Sequence, residues 1–248
     1  MILKLILLGV IQGFTEFLPI SSSGHLAIAQ HALNMNQNVL FITTLLHVGT
    51  IFAILTFFSK DIVTTLKSSR TLLNIFLVNT ITAILAFVFK ETFEFFYCSP
   101  WLIAIFLVIN GFMLVITKNF KKGIKEINTP SAIIMGLTQA LAITPGISRS
   151  GITITTLLLC GIKKESAFKF SFIASIPIII AAFFYELKDT PNLNTLDFKN
   201  LVIGVIFAYI SGLCALKFVK KIILLEKFYL FGYYCIVIGI TALFFLIK

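Results

Sequence analysis

Eleven residues near the start of the chain return, without a gap, in its second half. Ile11-Gln12-Gly13-Phe14-Thr15-Glu16-Phe17-Leu18-Pro19-Ile20-Ser21 aligns on Ile134-Met135-Gly136-Leu137-Thr138-Gln139-Ala140-Leu141-Ala142-Ile143-Thr144, with Ile, Gly, Thr, Leu and Ile shared. A polar turn follows each copy, Ser21-Ser22-Ser23-Gly24-His25 in the first and Pro145-Gly146-Ile147-Ser148-Arg149-Ser150-Gly151 in the second, and a short apolar stretch follows each turn. Gln12 and Glu16, four apart, share one helix face, beside a small-residue strip of Gly9 and Gly13. Pro19 disfavours helix at Leu18, and the serines and Gly24 are loop and cap material. Each copy therefore reads as half-helix, turn, half-helix, and the number of spans between the copies decides how the two halves are related.

The surroundings of both copies settle the solvent. With 58% hydrophobic and 12% charged residues and a mean hydropathy of +1.03, the chain lies far outside the range of soluble domains and is an integral membrane protein. Spans are predicted at 39–58, 72–89 and 101–117 between the copies, and at 167–187, 201–216 and 228–247 after the second. Some are short for a hydrocarbon core of roughly 30 Å and rely on interfacial ends. The polar stretch 59–71, a short acidic loop before Pro100 and the basic stretch 118–130 read as connections. Three crossings after the first half-helix pair put the second repeat into the membrane upside down. The expected fold is an all-α membrane protein with six transmembrane helices and two re-entrant half-helix pairs in an inverted-topology repeat. It forms a single integral membrane domain over 1–248, with repeat one at about 1–117 and repeat two at about 131–248.

Charge assigns the sides. In this arrangement one face carries five basic residues, Lys4, Lys90, Lys188, Lys199 and Lys248, and the other fourteen, from Lys60 to Lys227; Arg149, in its turn, completes the 20. The positive-inside rule makes the richer face cytoplasmic and places both termini outside. It also explains the net charge of +10, so nucleic acid is excluded as a partner. Residues 1–11 are read as mature sequence, because the basic flank is Lys4 alone, no A-x-A site follows, and Gln12 and Glu16 interrupt the apolar run. Cys98, Cys160, Cys214 and Cys235 lie in separate segments without metal or disulfide spacing.

Two oppositely inserted pairs bring their turns together near mid-membrane, with two helix N-termini aimed at one place, and such a place attracts anions. The turns add hydroxyl and backbone donors, and Arg149 adds a permanent planar cation suited to phosphate. Serine, histidine and glutamate from one turn and arginine from the other are the parts of a phosphoryl-transfer site: nucleophile, proton shuttle, acid or metal ligand, and charge clamp. The candidate catalytic residues are Glu16, Ser22, His25 and Arg149. Gln12, Ser21, Ser23, Ser148, Ser150 and Thr153 are candidates for binding substrate and phosphate, and Glu16 for binding metal. Blander roles compete: Glu16 and Arg149 as a structural ion pair, the serines as caps, His25 at the interface, and His47 and Asn74, Asn79 and Asn110 as interhelical hydrogen-bond formers.

At these residues the sequence resembles the undecaprenyl-diphosphatases, also called bacitracin-resistance proteins. Gln12 and Glu16 look like that family's (E or Q)-x-x-x-E motif, and Pro19 to His25 its P-(I/V)-S-S-(S/T)-G-H. Pro145 to Gly151 with Thr153 looks like P-G-x-S-R-S-G-x-T. His47-Val48-Gly49-Thr50, Phe170-Ser171-Phe172 and Ser175-Ile176-Pro177 fit as well. The resemblance implies removal of the terminal phosphate of undecaprenyl diphosphate on the outer side of the bacterial inner (cell) membrane, recycling the lipid carrier of cell-wall synthesis, with a divalent cation, Mg or Ca. It implies Glu16 as the essential second acid, Ser22 as nucleophile, His25 as the motif histidine and Arg149 as the phosphate-binding arginine, with serine and an activated water both open as attacking group. The partners are the polyprenyl diphosphate and membrane lipids, with a homodimer as a further candidate. The competing function is a transporter or flippase for a phosphorylated lipid or anion, since inverted repeats with broken helices also build secondary transporters.

Overall fold

The computed structural model describes residues 1–35, 39–97, 99–120, 123–188 and 198–247; Cys98, Lys121, Lys122 and Lys248 of the sequence reading lie outside them. Among the described residues the fold is all helical, apart from an isolated parallel bridge between Lys125 and Ile162. Helices satisfy their own backbone polar groups, which a hydrocarbon solvent requires.

The first half-helix is α1, Ile2–Phe17, and it stops where expected: Leu18, ahead of Pro19, is extended at ψ 142°. α2, Ser22–Ala32, completes the pair. α3, Val39–Phe57, leads through a 78° bend into α4, Ser59–Leu66. α5, Ser69–Val88, starts at Ser68, whose hydroxyl accepts the Thr71 N–H. α6, Lys90–Tyr97, precedes α7, Pro100–Ile116, which opens on its proline and closes in a 3-10 turn. In the second half, α8, Thr129–Leu141, begins with a reciprocal capping box between Asn128 and Ser131. α9, Arg149–Leu159, completes the second pair, and α10, Lys164–Lys188, α11, Phe198–Leu224, and α12, Leu230–Ile247, follow.

Three expectations are corrected. The stretch 59–71 and the acidic loop before Pro100 are not plain connections, because they hold the short helices α4 and α6, each with an acid in its first turn, Asp61 and Glu91. Such acids complement the partial positive charge of a helix start. α11 runs past the predicted end at 216 to Leu224, since Lys217, Lys220 and Lys221 are good helix formers. Four described helices, Ser69–Val88, Pro100–Asn119, Lys164–Tyr185 and Lys199–Leu224, are long and apolar enough to cross a membrane. The bent α3–α4 pair, counted as one span, makes a fifth, and α12 contributes a shorter apolar helix, Leu230–Phe245.

Packing is what carries Glu16 into the interior. α1 lies along α11, and the contact is close enough to need glycine: a Cβ on Gly13 would sit 2.5 Å from the Ala208 carbonyl oxygen and 2.0 Å from Ser211 Oγ. At the end of α1, Phe17 meets Phe172 of α10 edge-on at 5.4 Å, within a cluster that includes Phe58 and Phe168. α8 packs along α5, where the Thr82 hydroxyl donates to the Gly136 carbonyl at 3.1 Å and accepts from Gln139 Nε2 at 3.1 Å. α7 packs along α12, and α3 touches α10. The segment between the halves is pinned at its end: Lys125 accepts from the Lys163 N–H and donates to the Gly161 carbonyl. Beside it, Lys163 and the Ser166 hydroxyl hold the Glu126 carboxyl below its usual range.

Candidate active site

The two polar turns meet. Gly146 of the second donates its N–H to Ser21 Oγ of the first at 3.2 Å, and Ser150 Oγ donates to the Leu18 carbonyl at 3.3 Å. Gly151 permits the approach, for a Cβ there would lie 3.1 Å from Ser148 Cβ and 3.2 Å from Pro19 Cβ. Behind both turns stands Asn110 of α7, fully buried.

At the junction, Glu16 is the hub. Its Oε1 accepts from Arg149 Nη2 at 2.6 Å, across the two halves of the sequence. Its Oε2 accepts from Ser22 Oγ at 2.8 Å and from Gln12 Nε2 at 3.4 Å, and lies 3.4 Å from His47 Nε2. His47 Nδ1 is 2.8 Å from the Thr43 carbonyl and so donates there; its contact with Glu16 is attractive when Nε2 also carries a proton. Two buried polar atoms in this cluster have no hydrogen-bond partner among the described residues: Arg149 Nη1 and Gln12 Oε1. Water or a polar ligand beside the carboxylate and the hydroxyl would complete the hydrogen bonding of this donor and acceptor.

The sequence-selected residues divide on this geometry. Glu16, Ser22, Arg149 and Gln12 converge. His25 does not touch them: its Nδ1 donates to the Ser21 carbonyl at 2.8 Å, and its Nε2 lies 2.8 Å from the Tyr234 hydroxyl of α12, with the two rings stacked at 5.9 Å. In the neutral ring this fixes the tautomer, leaving Nε2 to accept from Tyr234. His47, which the sequence also allowed as a plain interhelical residue, takes the place beside the carboxylate. Its signal was present, because it is the one titratable side chain in the apolar run 39–58.

The serines divide as well. Ser22 does not cap α2, since its hydroxyl goes to Glu16; Ser21 stands at the cap position without a side-chain cap bond. Ser21 is held at φ 67°, a left-handed conformation that costs a non-glycine residue roughly 1–3 kcal/mol and that its bonds to Gly146 and Ser23 help to hold. Ser148 caps α9 by accepting the Gly151 N–H. Ser150 and Ser148 bond to each other, and Thr153 donates to the Arg149 carbonyl and pairs with Ser171 at 2.6 Å. These three hydroxyls are committed to the scaffold under Arg149.

A histidine, cysteine, aspartate and glutamate cluster of three or more, such as would hold a metal unaided, is absent among the described residues. The oxygens at hand are those of Glu16, the open Gln12 Oε1 and the Ser22 hydroxyl. That is a partial set of hard ligands for a cation that brings further oxygens with it.

The whole chain is similar to known proteins. A relative from Halothermothrix orenii, an undecaprenyl-diphosphatase, is 40% identical over 251 residues, covering 98% of this chain and 97% of its own. The undecaprenyl-diphosphatase of Alkaliphilus metalliredigens is 41% identical over 268 residues, covering 98% of each chain. That of Methanobrevibacter smithii is 33% identical over 267 residues, covering 97% of this chain and 96% of its own. The bacitracin resistance protein BacA family matches residues 5–241, which takes in both turns and every helix that builds the junction between them, and the chain belongs to that family.

Proposed function

We propose that the protein hydrolyses undecaprenyl diphosphate to undecaprenyl phosphate and inorganic phosphate, at the junction of the two turns. The observation that carries this reading is one contact pair. Glu16 receives the Ser22 hydroxyl on one oxygen and the Arg149 guanidinium on the other, which leaves Arg149 Nη1 open. A nucleophile hydrogen-bonded to a base, with a cation held at the same base, fits transfer of a phosphoryl group.

In this mechanism the terminal phosphate lies at the N-terminus of α2, against Arg149 Nη1. Glu16 Oε2 takes the Ser22 proton as Oγ attacks phosphorus. The new Oγ–P bond forms as the bridging P–O bond breaks, and the electron pair leaves with the lipid monophosphate. That leaving group departs as a stable anion, so no acid has to stand beside it, which suits a geometry where His25 is turned towards Tyr234. Glu16 then releases that proton to solvent and takes one from water as the water oxygen attacks the phosphoserine phosphorus; the P–Oγ bond breaks, the proton passes from Glu16 to Oγ, and inorganic phosphate leaves with Ser22 restored. His47 and Gln12 orient the carboxylate. Ser21 and Ser23 shape the first turn, and Ser148, Ser150 and Thr153 hold the second.

A divalent cation, magnesium or calcium, belongs to this proposal as a companion of the substrate. Glu16 and Gln12 Oε1 would hold it, with the diphosphate supplying the other oxygens. When bound it neutralises phosphate charge. Excess chelator is expected to stop phosphate release and magnesium or calcium to restore it; full turnover in chelator would remove the cation from the mechanism.

The finer architecture belongs to the same reading: six spans and two re-entrant pairs in an inverted repeat, forming a single domain, with the site open to the outside of the cell membrane. Its support is the echo in sequence and the pairing of elements, in which α1 lies on α11 as α8 lies on α5, while α7 meets α12 and α3 meets α10. Single cysteines replacing Ile2 and Ile247 in a cysteine-free background, probed in intact cells with an impermeant reagent, should both be labelled and one replacing Lys67 should not. The opposite pattern would invert the topology.

Hydrolysis and lipid transport separate in detergent. Purified protein should release phosphate from undecaprenyl diphosphate with no membrane gradient present. No release, together with lipid flux in vesicles, would favour the transporter.

A further inference from the structure

The two turns come from chain segments more than a hundred residues apart, and their mutual placement decides whether Arg149 and Ser22 act on one phosphate. One side chain from a third helix is bonded to both. Asn110 Nδ2 donates to the Pro19 carbonyl of the first turn at 3.1 Å, and its Oδ1 accepts the Ser148 N–H of the second at 3.0 Å. The Ser148 N–H lies one residue before Arg149, and the Pro19 carbonyl lies between Glu16 and Ser22. Asn110 Nδ2 also reaches Cys235 Sγ of α12 at 3.4 Å, and Asn110 is fully buried. Where a Cβ on Gly151 would come within 3.2 Å of Pro19, it would also come within 3.3 Å of Asn110 Oδ1, so the amide sits beside the close approach of the two turns.

We propose that Asn110 is a positioning residue for phosphoryl transfer, a two-ended clamp that sets the register of the Glu16–Ser22 turn against Arg149. An amide is suited to this because it offers a donor and an acceptor on one rigid plane, matched here to a carbonyl on one side and an N–H on the other. A carboxylate fits the N–H and opposes the carbonyl; a neutral carboxylic acid fits both. The inference rests on the hydrolytic reading above.

That difference gives the test, made on purified full-length protein with undecaprenyl diphosphate and a pH series. The titratable and charged groups on α1, α2, α9 and α12 are Lys4 and Glu16, His25 and His31, Arg149, and Tyr233, Tyr234 and Cys235; of these Cys235 is in contact with Asn110. Asn110→Leu, of similar size, should lose at least tenfold in kcat with KM changed less than threefold. Asn110→Asp should recover most of that loss at the acid end of the range, where the side chain is neutral, and fall towards the leucine variant as pH rises if its carboxyl ionises within the range. If Asn110→Leu does not elute as a monodisperse protein, Asn110→Ala takes its place. A leucine or alanine variant within threefold of wild-type kcat, or an aspartate variant no better than it at any pH, would overturn the clamp. Failure of the wild type to release phosphate would instead overturn the hydrolytic reading on which the clamp rests.

Discussion

Ser22→Ala is expected to reduce phosphate release by about a thousandfold or more, roughly 4 kcal/mol in the barrier, while lipid binding changes little. The Ser22 hydroxyl donates to Glu16 at 2.8 Å, the contact that suits a nucleophile with its base, and alanine removes it without disturbing the cap of α2, to which it does not contribute. Arg149 Nη1 and the helix start remain to bind the headgroup. A loss below about tenfold would make the serine a hydrogen-bond donor only, and a water activated by Glu16 would become the attacking group. Rapid acid quench of the wild type gives the direct view, since a phosphorylated enzyme absent from Ser22→Ala would identify the oxygen that attacks.

Arg149→Lys should cost about 2–4 kcal/mol in the transition state, a fall in turnover of roughly 30- to 1000-fold, although the charge is kept. Two nitrogens of the guanidinium differ: Nη2 holds Glu16, and Nη1 is buried without a hydrogen-bond partner among the described residues. An ammonium is a point donor on a flexible stem and cannot hold both directions at once. The competing account, a structural ion pair with no part in chemistry, makes a different prediction for the double variant Glu16→Gln with Arg149→Met. Removing one partner of a buried pair strands the other, whereas removing both need not destabilise the protein. A stable and active double variant would reduce the pair to scaffold. A stable but inactive one would place it in the reaction.

Much of this site is legible in the sequence, because it is made of residues a membrane segment does not carry without cause. Glu16 and Arg149 stand out for that reason, and the echo between the halves says that their turns belong together. His25 and His47 show where that kind of reading stops. A motif places His25 three residues from Ser22, yet in α2 its ring turns towards Ser21 and Tyr234, a partner 209 residues away. His47 reaches Glu16 through the packing of α3 against α1, which local spacing does not encode. Ser148, Ser150 and Thr153 are of a type that suits phosphate, and spacing alone does not tell that their hydroxyls also serve the cap of α9 and bonds within the second turn. The helices α4 and α6 were hidden because short polar helices lack the long apolar run by which spans are recognised, and the apolar run ends at Lys217 although the helix α11 continues through its lysines to Leu224.

The bond from Arg149 to Glu16 joins residues 133 positions apart, and the Ser211 hydroxyl on α11 reaches the Gly9 carbonyl across 202. Ribosomes add roughly 5–20 residues each second, so about 7–27 seconds separate the emergence of the acid from that of its cation, and the helix that covers α1 comes later still. During that interval the first half-helix has neither its counter-ion nor its packing partner. An unpaired carboxylate in hydrocarbon costs several kilocalories, which a half-length helix cannot offset with apolar area. Biogenesis of this chain therefore has to shelter its first helix, at the bilayer interface or within the insertion machinery, until the second half arrives. Truncation before Arg149 leaves the acid without its counter-ion, and truncation before α11 leaves α1 without the helix that covers it.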